Sequence, residues 1–126
     1  MGKSISIICA TYNAEKCLSV FLTSVRKQTN QDFELIIIDG SSTDKTINII
    51  EANGDIISKY ISEEDKGIYD AWNKGIKLAS SNWISFVGAD DILSKDYIST
   101  YLNALRIAPS DTEYISTKVR YVNNKF

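Results

Sequence analysis

The sequence predicts an α/β fold in which a doubly wound, mostly parallel sheet is covered by helices on both faces. Two observations predict it. Strand-like runs alternate four times along the chain with segments whose apolar residues recur at helical spacing. The strand-like runs are also nearly continuous in apolar residues, which is typical of parallel strands buried on both faces. We therefore expect right-handed crossovers and the strand order 3-2-1-4, which places strands 1 and 4 side by side at a ligand-binding crevice.

The predicted strands are short runs rich in β-branched and aromatic residues, and each is followed by polar or turn-forming residues. They cover residues 4–10, 33–38, 56–61 and 83–87. Pro109 is expected to mark the exit from the last helix, and the alternating segment from Tyr114 to Val122 is predicted to be a further strand.

Each predicted helix carries one apolar stripe, and the first is expected over residues 14–28. Ser41 or Ser42 is the expected N-cap of the second helix, and Ser94 that of the fourth. The stripes consist, in order, of Leu18, Phe21, Leu22 and Val25; Ile47 and Ile50; Ile68, Ala71, Trp72, Gly75 and Ala79; and Ile98, Tyr101, Leu102 and Leu105.

Length and charge restrict the functional class. The 126 residues, 44% of them apolar, are enough for a single domain with a real core. A net charge of −2 without any block of like charges argues against nucleic acid as a partner. No apolar run approaches the roughly 18 residues that span a bilayer, and no signal peptide precedes the first strand. We expect a cytoplasmic protein without a transmembrane segment, for which peripheral contact with the inner face of the cell membrane stays open.

The residue types narrow the chemistry further. The chain has no histidine, so an imidazole base, a histidine-activated nucleophile and histidine-containing zinc motifs are excluded. Acid–base work must then fall to carboxylates. Cys9 lies in an apolar strand run and Cys17 on an amphipathic helix, so we expect buried free thiols in a reducing compartment rather than a disulfide.

The most informative motif is the acidic pair Asp90-Asp91, which follows the apolar run from Trp83 to Val87. Adjacent carboxylates at the end of a buried strand cost desolvation and mutual repulsion unless a cation or a set of donors holds them. They are therefore candidate ligands for a metal ion. The alternative is that one of them merely caps the following helix, because aspartate is a favoured N-cap residue.

The predicted strand order brings this pair close to Asp39 and to the loop Thr11-Tyr12-Asn13, a constellation expected to hold a nucleotide. Residues 10–15 contain no glycine-rich phosphate loop, so a bound diphosphate would need Mg²⁺ or Mn²⁺ on carboxylates. Tyr12 can stack on a base, and Asp39 can accept hydrogen bonds from a base or a ribose. Tyr12 as core filler and Asp39 as a turn former before Gly40 remain the alternatives.

Four segments together resemble the donor-binding N-terminal part of family 2 glycosyltransferases, which have the Rossmann-like GT-A fold. They are Thr11-Tyr12-Asn13, FELIIIDGSSTD over residues 33–44, DKGIYDAWNKG over residues 65–75, and Ala89-Asp90-Asp91. The third segment is similar to a branch that builds bacterial surface polysaccharides. The resemblance covers residues 4 to about 100, with the motifs in order.

The resemblance implies a set of nucleotide-binding residues. Ala10, Thr11 and Tyr12 fall at the base pocket, and Asp39 reads the base, usually a uracil. Asp90 corresponds to the final acid of the Asp-x-Asp metal motif, with Asp91 adjacent. These implied positions also include Lys66 and Gly67, which approach the nucleotide, although a solvated charged turn over residues 63–66 explains that segment as well. Asp70 and Asn73 are weaker candidates, because both can simply occupy the polar face of their helix.

The resemblance also implies a reaction. A sugar would pass from a nucleoside-diphosphate sugar, usually UDP-linked, to a saccharide or lipid-linked acceptor, with a metal ion bound and with inversion at the anomeric carbon. Gly88 departs from the family, because many members carry the first acid of the metal motif there; Asp91, or the diphosphate and water, would have to compensate. We expect the catalytic base beyond Phe126, and the 126 residues to form a truncated, donor-binding part.

Two other classes of protein also place acidic residues at the edge of a parallel sheet. A nucleotide- or cation-binding module without turnover is compatible with the same crevice, and binding without transfer would identify it. A phosphoacceptor receiver domain needs an acidic group after the first strand, and Thr11-Tyr12-Asn13 supplies none.

Overall fold

The computed structural model describes residues 3–117 as four β-strands and four α-helices in strict alternation. The elements are β1 (Ile5–Thr11), α1 (Leu18–Arg26), β2 (Phe33–Asp39), α2 (Thr46–Ala52), β3 (Lys59–Ser62), α3 (Ile68–Leu78), β4 (Trp83–Gly88) and α4 (Tyr97–Ile107). This confirms the predicted alternation and, for the first, second and fourth strands, the predicted position to within one residue at each end.

The four strands form one parallel sheet in the order β3-β2-β1-β4, as predicted. β1 lies in the middle, where Thr11 pairs with Asp39 on one side and Ala10 pairs with Gly88 on the other. All four carboxyl ends therefore meet at one edge of the sheet. Loops that are far apart in sequence are brought together there.

Two apolar layers cover the sheet, because side chains alternate between its faces. The larger layer holds Phe21, Leu22 and Val25 of α1 and Ile98 of α4, together with the odd-numbered residues of β1 and β2. The smaller layer holds α3 against the even-numbered residues. It includes Ile8, Ile36, Ile38 and Ala71. Helices thus lie on both faces, as the doubly wound prediction requires.

The third strand begins later than predicted. The prediction includes residues 56–58, but the strand starts at Lys59. Ile56 and Ile57 instead donate their backbone N–H groups to the carbonyl of Asn53 and close a turn after α2. Ile57 is nevertheless buried in the core. Its apolar character reflects packing below α2 rather than strand pairing.

The predicted helix starts also need correction. α1 begins at Leu18, after a turn in which Ala14 accepts from the backbone of Cys17 and Leu18. Neither Ser41 nor Ser42 caps α2, which begins at Thr46, where the Asp44 carboxylate accepts from the backbone N–H and hydroxyl of Thr46.

Ser94 does not cap α4, because Asp96 occupies the N-cap position of that helix without a side-chain capping bond. In α3, Ala71 and Gly75 are buried as predicted, but Ile68 is 51% exposed. α4 ends at Ile107, just before Pro109, in agreement with the prediction.

The predicted last strand falls largely outside the described residues. Tyr114 to Thr117 have no regular secondary structure, and residues 118–126 are not described. None of the helices within residues 3–117 combines the length and the apolar character that a membrane-spanning segment requires.

A buried carboxylate ties the amino edge of the sheet together. Glu34 of β2 is only 5% exposed and accepts hydrogen bonds from the hydroxyl of Ser6 at 2.6 Å and from the backbone N–H and hydroxyl of Ser80 at 2.7 and 2.6 Å. Lys59 lies 3.5 Å away. Burial works to raise the pKa of Glu34, but the bonds from Ser6 and Ser80 and the charge of Lys59 lower it to about 2.

The charge of Glu34 should make folding stability depend on pH. Because its pKa is lower in the folded protein than the ordinary value of 4.5, its contribution is present above pH 4.5 and is lost as the pH falls toward 2. Replacement by glutamine is expected to cost about 3 kcal/mol of unfolding free energy at pH 7 and to flatten the pH dependence in that window.

Urea denaturation at a series of pH values measures both effects. Glu113→Gln, at an exposed glutamate without a hydrogen-bond partner among the described residues, serves as the matched control and should change stability by less than about 0.5 kcal/mol. Equal stability of Glu34→Gln and Glu113→Gln at pH 7 would contradict the role assigned to Glu34.

Candidate functional site

At the carboxyl edge of the sheet, β1 and β4 end side by side. Gly88 ends β4 directly beside Ala10 of β1, and Asp90 and Asp91 follow at once. The structure therefore places the acidic pair at the predicted switch point. Both aspartates are exposed.

Neither aspartate caps α4, whose N-cap position is Asp96. Asp91 instead accepts the backbone N–H of Gly88 at 2.7 Å, which closes the loop on itself. Asp90 folds back over Gly88, where a Cβ atom would lie only 2.8 Å from its Oδ1. Glycine at position 88 thus makes room for the Asp90 carboxylate, and an acidic residue in its place would require Asp90 to move.

The donor set for a metal ion is small. Within residues 3–117, no group of three or more histidine, cysteine, aspartate or glutamate side chains is arranged to hold a metal ion. Asp90 has no hydrogen-bond partner in the same part of the chain, so its oxygens are free to coordinate. The pair fits Mg²⁺ or Mn²⁺ bound through one or two carboxylates and completed by ligand oxygens and water.

Asp39 occupies the centre of the neighbouring edge, between β1 and β2. It is 0% exposed. Its Oδ1 accepts from the hydroxyls of Thr11 and Ser42, both at 2.6 Å, and its Oδ2 accepts from the Ser42 backbone at 2.9 Å and the Ser62 hydroxyl at 2.8 Å. Burial works to raise the pKa of Asp39, but hydrogen bonds from Ser42, Thr11 and Ser62 outweigh it and hold the pKa below its usual range.

The four bonds fill the acceptor sites of the Asp39 carboxylate. Thr11 is 4% exposed, and its hydroxyl donates its hydrogen bond to this carboxylate. The structure thus buries both residues at the ends of β1 and β2, directly before Tyr12 and Gly40 of the loops that follow. For Asp39 to contact a base directly, one of these hydroxyls must give way.

Three consecutive backbone amides between β1 and α1 donate to side chains that follow β2, two of them in the loop before α2 and one at the first residue of α2. Asn13 donates to the Ser42 hydroxyl at 2.8 Å, Ala14 to the Thr46 hydroxyl at 2.8 Å, and Glu15 to Asp44 Oδ2 at 3.2 Å. In many nucleotide-binding folds, amides at this place bind phosphate. Here these three are already bonded within the protein.

A cavity of about 420 Å³ opens at this edge. It is lined by Tyr12, Gly40, Ser41, Glu64 and Asp65. Tyr12 is 66% exposed, so it is not core filler, and its ring is available to stack on a ligand. A similar cavity of about 440 Å³ lies at the opposite edge of the sheet, around Asn82 and Arg106, far from the acidic pair in the fold.

Sequence reasoning missed Gly40, Ser41, Glu64 and Asp65 as lining residues. A Cβ atom at Gly40 would lie 2.8 Å from Asp65 Oδ2, so glycine there lets the Asp65 carboxylate close the cavity wall. The DKG motif contained a usable signal, because Asp65 stands directly before the predicted residues Lys66 and Gly67. The contact with Gly40 is long-range and has no signature in the sequence.

Lys66 and Gly67 do not line the cavity. The Lys66 backbone N–H donates to Asp70 at 2.9 Å, and Gly67, at a φ of 109°, donates to Asp65 Oδ1 at 3.1 Å and precedes α3. A positive φ of this size favours glycine, which explains the residue at position 67 in structural terms. Asp70 also pairs with Lys74 at 3.6 Å, as expected for the polar side of α3.

The two cysteines are free, Cys9 in the core and Cys17 half-buried. Burial, followed by the charge of Asp91, raises the pKa of the Cys9 thiol far above its usual range. The thiol is 0% exposed, and buried thiols of this kind are structural rather than reactive.

The four-stranded parallel sheet, with helices on both faces and the acidic loop after β4, defines an α/β domain of the GT-A kind. Residues 6–126 match the family described as glycosyl transferase family 2. The chain belongs to this family.

Two relatives and one solved structure locate the chain within it. A glycosyltransferase of PGL/p-HBAD biosynthesis from Mycobacterium bovis is 41% identical over 91 residues, which are 70% of this chain and 36% of the relative. The Escherichia coli protein WfgD, named UDP-Glc:alpha-D-GlcNAc-diphosphoundecaprenol beta-1,3-glucosyltransferase, is 38% identical over 89 residues, 70% of this chain and 35% of that protein.

Among solved structures, S. aureus TarS, residues 1–349, in complex with UDP-GlcNAc superposes with a TM-score of 0.77 at 27% identity. The match covers 82% of this chain and 31% of that TarS segment. The chain spans about a third of the length of the two curated relatives.

The buried charge of Asp39 gives a test of this arrangement. Because its pKa is lowered in the folded protein, its contribution to stability is present above the ordinary pKa of an aspartate and is lost as the pH falls. Asp39→Asn is expected to lower the unfolding free energy at pH 7 by about 3 kcal/mol. The NH₂ group of asparagine is a donor, and it would replace a carboxylate oxygen that accepts two hydrogen bonds.

Thermal or urea unfolding measures the loss. Asp55→Asn provides the control, because Asp55 pairs with Arg26 on the surface, where both side chains are about half exposed or more. That change is expected to lower the unfolding free energy much less than Asp39→Asn, because solvent screens an exposed ion pair. A cost for Asp39→Asn no larger than for Asp55→Asn would refute the central role of Asp39.

Proposed function

We propose that this chain is the donor-binding part of a glycosyltransferase that uses a UDP-linked sugar and a divalent cation, with inversion at the anomeric carbon. The proposal rests on one observation: at the carboxyl edge of the sheet, the cavity and the acidic pair lie on different sides of β1. A cavity faced by Tyr12 lies beside β1, the exposed carboxylate of Asp90 lies across β1 next to β4, and three intervening backbone amides are already occupied.

The base is proposed to bind in the cavity. Tyr12 would stack on it. The bonded pair of Thr11 and Asp39 would support the loops that carry Tyr12 and Gly40, and Ala10 would lie between the base and Gly88. Asp65 offers a carboxylate at the wall, which suits the N–H of a uracil. Lys66 and Gly67 are proposed to approach the nucleotide from the loop before α3. The UDP-GlcNAc complex of TarS and the UDP-Glc donor in the name of WfgD support a uridine nucleotide.

The diphosphate is proposed to lie over the end of β4. Asp90 would coordinate Mn²⁺ or Mg²⁺ there, and Asp91 would keep the loop closed through its bond to Gly88 and add a second contact. When bound, the cation neutralises the charge that develops on the departing nucleoside diphosphate. The residues of this chain bind the base and orient the pyrophosphate.

In the proposed reaction, an acceptor hydroxyl attacks the anomeric carbon from the face opposite the diphosphate. A new carbon–oxygen bond forms, the bond to the diphosphate oxygen breaks, and the nucleoside diphosphate leaves with both bonding electrons. The hydroxyl proton passes to a base, which we place outside this chain. The acceptor is proposed to be a saccharide or a lipid-linked sugar, as in the name of WfgD, and a lipid-linked acceptor would bring the protein to the inner membrane face.

The metal assignment predicts a selective loss in one variant. Asp90→Asn keeps the shape of the side chain but removes its charge, so the Mn²⁺-dependent part of UDP affinity should fall at least about tenfold, while affinity for UDP in EDTA stays unchanged. Isothermal titration with UDP, in the presence of Mn²⁺ and of EDTA, measures both quantities.

Asp96→Asn is the matched control, because Asp96 is exposed and its side chain makes no capping bond at the start of α4. It should leave both affinities unchanged. A full Mn²⁺ response in Asp90→Asn would overturn the ligand assignment. Binding of UDP with Mn²⁺, but without transfer once the complete enzyme is assayed with an acceptor, would favour the binding module instead.

A further inference from the structure

The loop after β1 and the loop after β2 are joined by a reciprocal pair of hydrogen bonds. Asn13 Oδ1 accepts the backbone N–H of Thr43 at 2.8 Å, and the backbone N–H of Asn13 donates to Ser42 Oγ at 2.8 Å. Each loop thus sends one side chain to the backbone of the other. We refer to Asn13 and Ser42 as the loop clamp.

The two loops carry the only non-glycine residues with positive φ among residues 3–117. These are Asn13 at 46° and Ser41 at 61°. Both conformations lie in the left-handed region, which L-residues adopt reluctantly, although asparagine tolerates it better than most. They persist because bonds on either side hold the backbone, and each lies in or next to the wall of the cavity.

The clamp is connected to the buried carboxylate. Ser42 Oγ accepts from Asn13 and at the same time donates to Asp39 Oδ1 at 2.6 Å, while the Ser42 backbone donates to Asp39 Oδ2 at 2.9 Å. The Ser42 hydroxyl therefore links the buried Asp39 carboxylate to the backbone of Asn13, the residue directly after Tyr12. A hydroxyl in this role has one donor and one acceptor fixed, so its orientation is determined.

The Tyr12 ring depends on the backbone that carries it, because most of its surface is exposed. The side chain is 66% exposed and has no hydrogen-bond partner in the described part of the chain. Its direction depends on the backbone of residues 11–13. Thr11 is fixed by pairing with Asp39 and by its hydroxyl, which leaves Asn13 as the second anchor.

We propose that Asn13 and Ser42 are positioning residues that hold the Tyr12 ring ready to stack on the base. This inference rests on the proposed function, because it assigns a purpose to the order of the same cavity. Loss of the clamp should weaken binding of the nucleoside and leave the cation-dependent gain from the diphosphate untouched.

Four variants separate the clamp from general stability. Ser42→Ala removes the shared hydroxyl, and Asn13→Gly keeps the positive φ accessible but removes the amide side chain. Each should lower UDP affinity in Mn²⁺ about tenfold, which is of the order expected when an aromatic platform loses its stacking geometry. Ser42→Thr and Asn13→Asp keep an acceptor oxygen at the same place and should restore affinity to within about threefold of the wild type.

A double-mutant cycle tests whether the clamp acts through Tyr12. If it does, Tyr12→Ala combined with Ser42→Ala should bind UDP no more weakly than Tyr12→Ala alone. In all variants, the ratio of UDP affinity with Mn²⁺ to that in EDTA should match the wild type. Additive losses, or full affinity in Ser42→Ala, would overturn the proposal.

A second readout needs no ligand. Hydrogen exchange of the Asn13 amide and the NMR order parameter of Tyr12 should both report a looser loop in Ser42→Ala than in Ser42→Thr. A rigid Tyr12 in Ser42→Ala overturns the clamp whatever the nucleotide does. If Tyr12 is more mobile in Ser42→Ala and the wild-type protein does not bind UDP, the clamp is supported and the proposed function is refuted.

Discussion

The hydrogen bonds from the backbone of Asn13, Ala14 and Glu15 to side chains in the β2–α2 loop and at the start of α2 fix the loops at the carboxyl edge of the sheet. In a doubly wound fold this stretch of backbone leads into the first helix and is suited to bind an anion. Here its donors hold the two loops together. In the proposed function, the positive charge that a pyrophosphate requires comes instead from a cation bound at Asp90, beside β4.

Buried carboxylates on β2 organise both edges of the sheet. Glu34 near the amino end and Asp39 at the carboxyl end each accept hydrogen bonds from hydroxyls on neighbouring elements, and in each case those bonds outweigh the cost of burial. A buried charge held in this way allows little freedom, because displacing any donor leaves the carboxylate unsatisfied. Asp39 thereby fixes the geometry of the loops above it.

The architecture was predictable from the sequence, since apolar runs such as Phe33 to Ile38 report burial on both faces directly. Helix starts were less so. Ser42 has the chemistry of an N-cap, but it bonds to Asp39 and Asn13. Lys45 occupies the N-cap position of α2, and the Asp44 side chain accepts the backbone N–H of Thr46. The capping propensity of serine indicates which hydrogen bonds its side chain can make, and tertiary contacts decide which of them form.

The site was predictable in part for the same reason. Tyr12 and the acidic pair stand in segments with recognisable chemistry, and the strand order alone brings them to one edge. The contact of Asp65 with Gly40 and the burial of Thr11 and Asp39 below the cavity depend on three loops folding over one another. No local pattern encodes that arrangement, so the cavity wall could be read only from the structure.

Affinities for uridine and UDP, compared in EDTA and again in Mn²⁺, test the central claim most directly. If the occupied amides leave the chain without its own grip on a pyrophosphate, uridine and UDP should bind equally in EDTA, and Mn²⁺ should raise only the affinity for UDP. Tighter binding of UDP than of uridine in EDTA would show that the protein holds the diphosphate without a cation and would contradict this account.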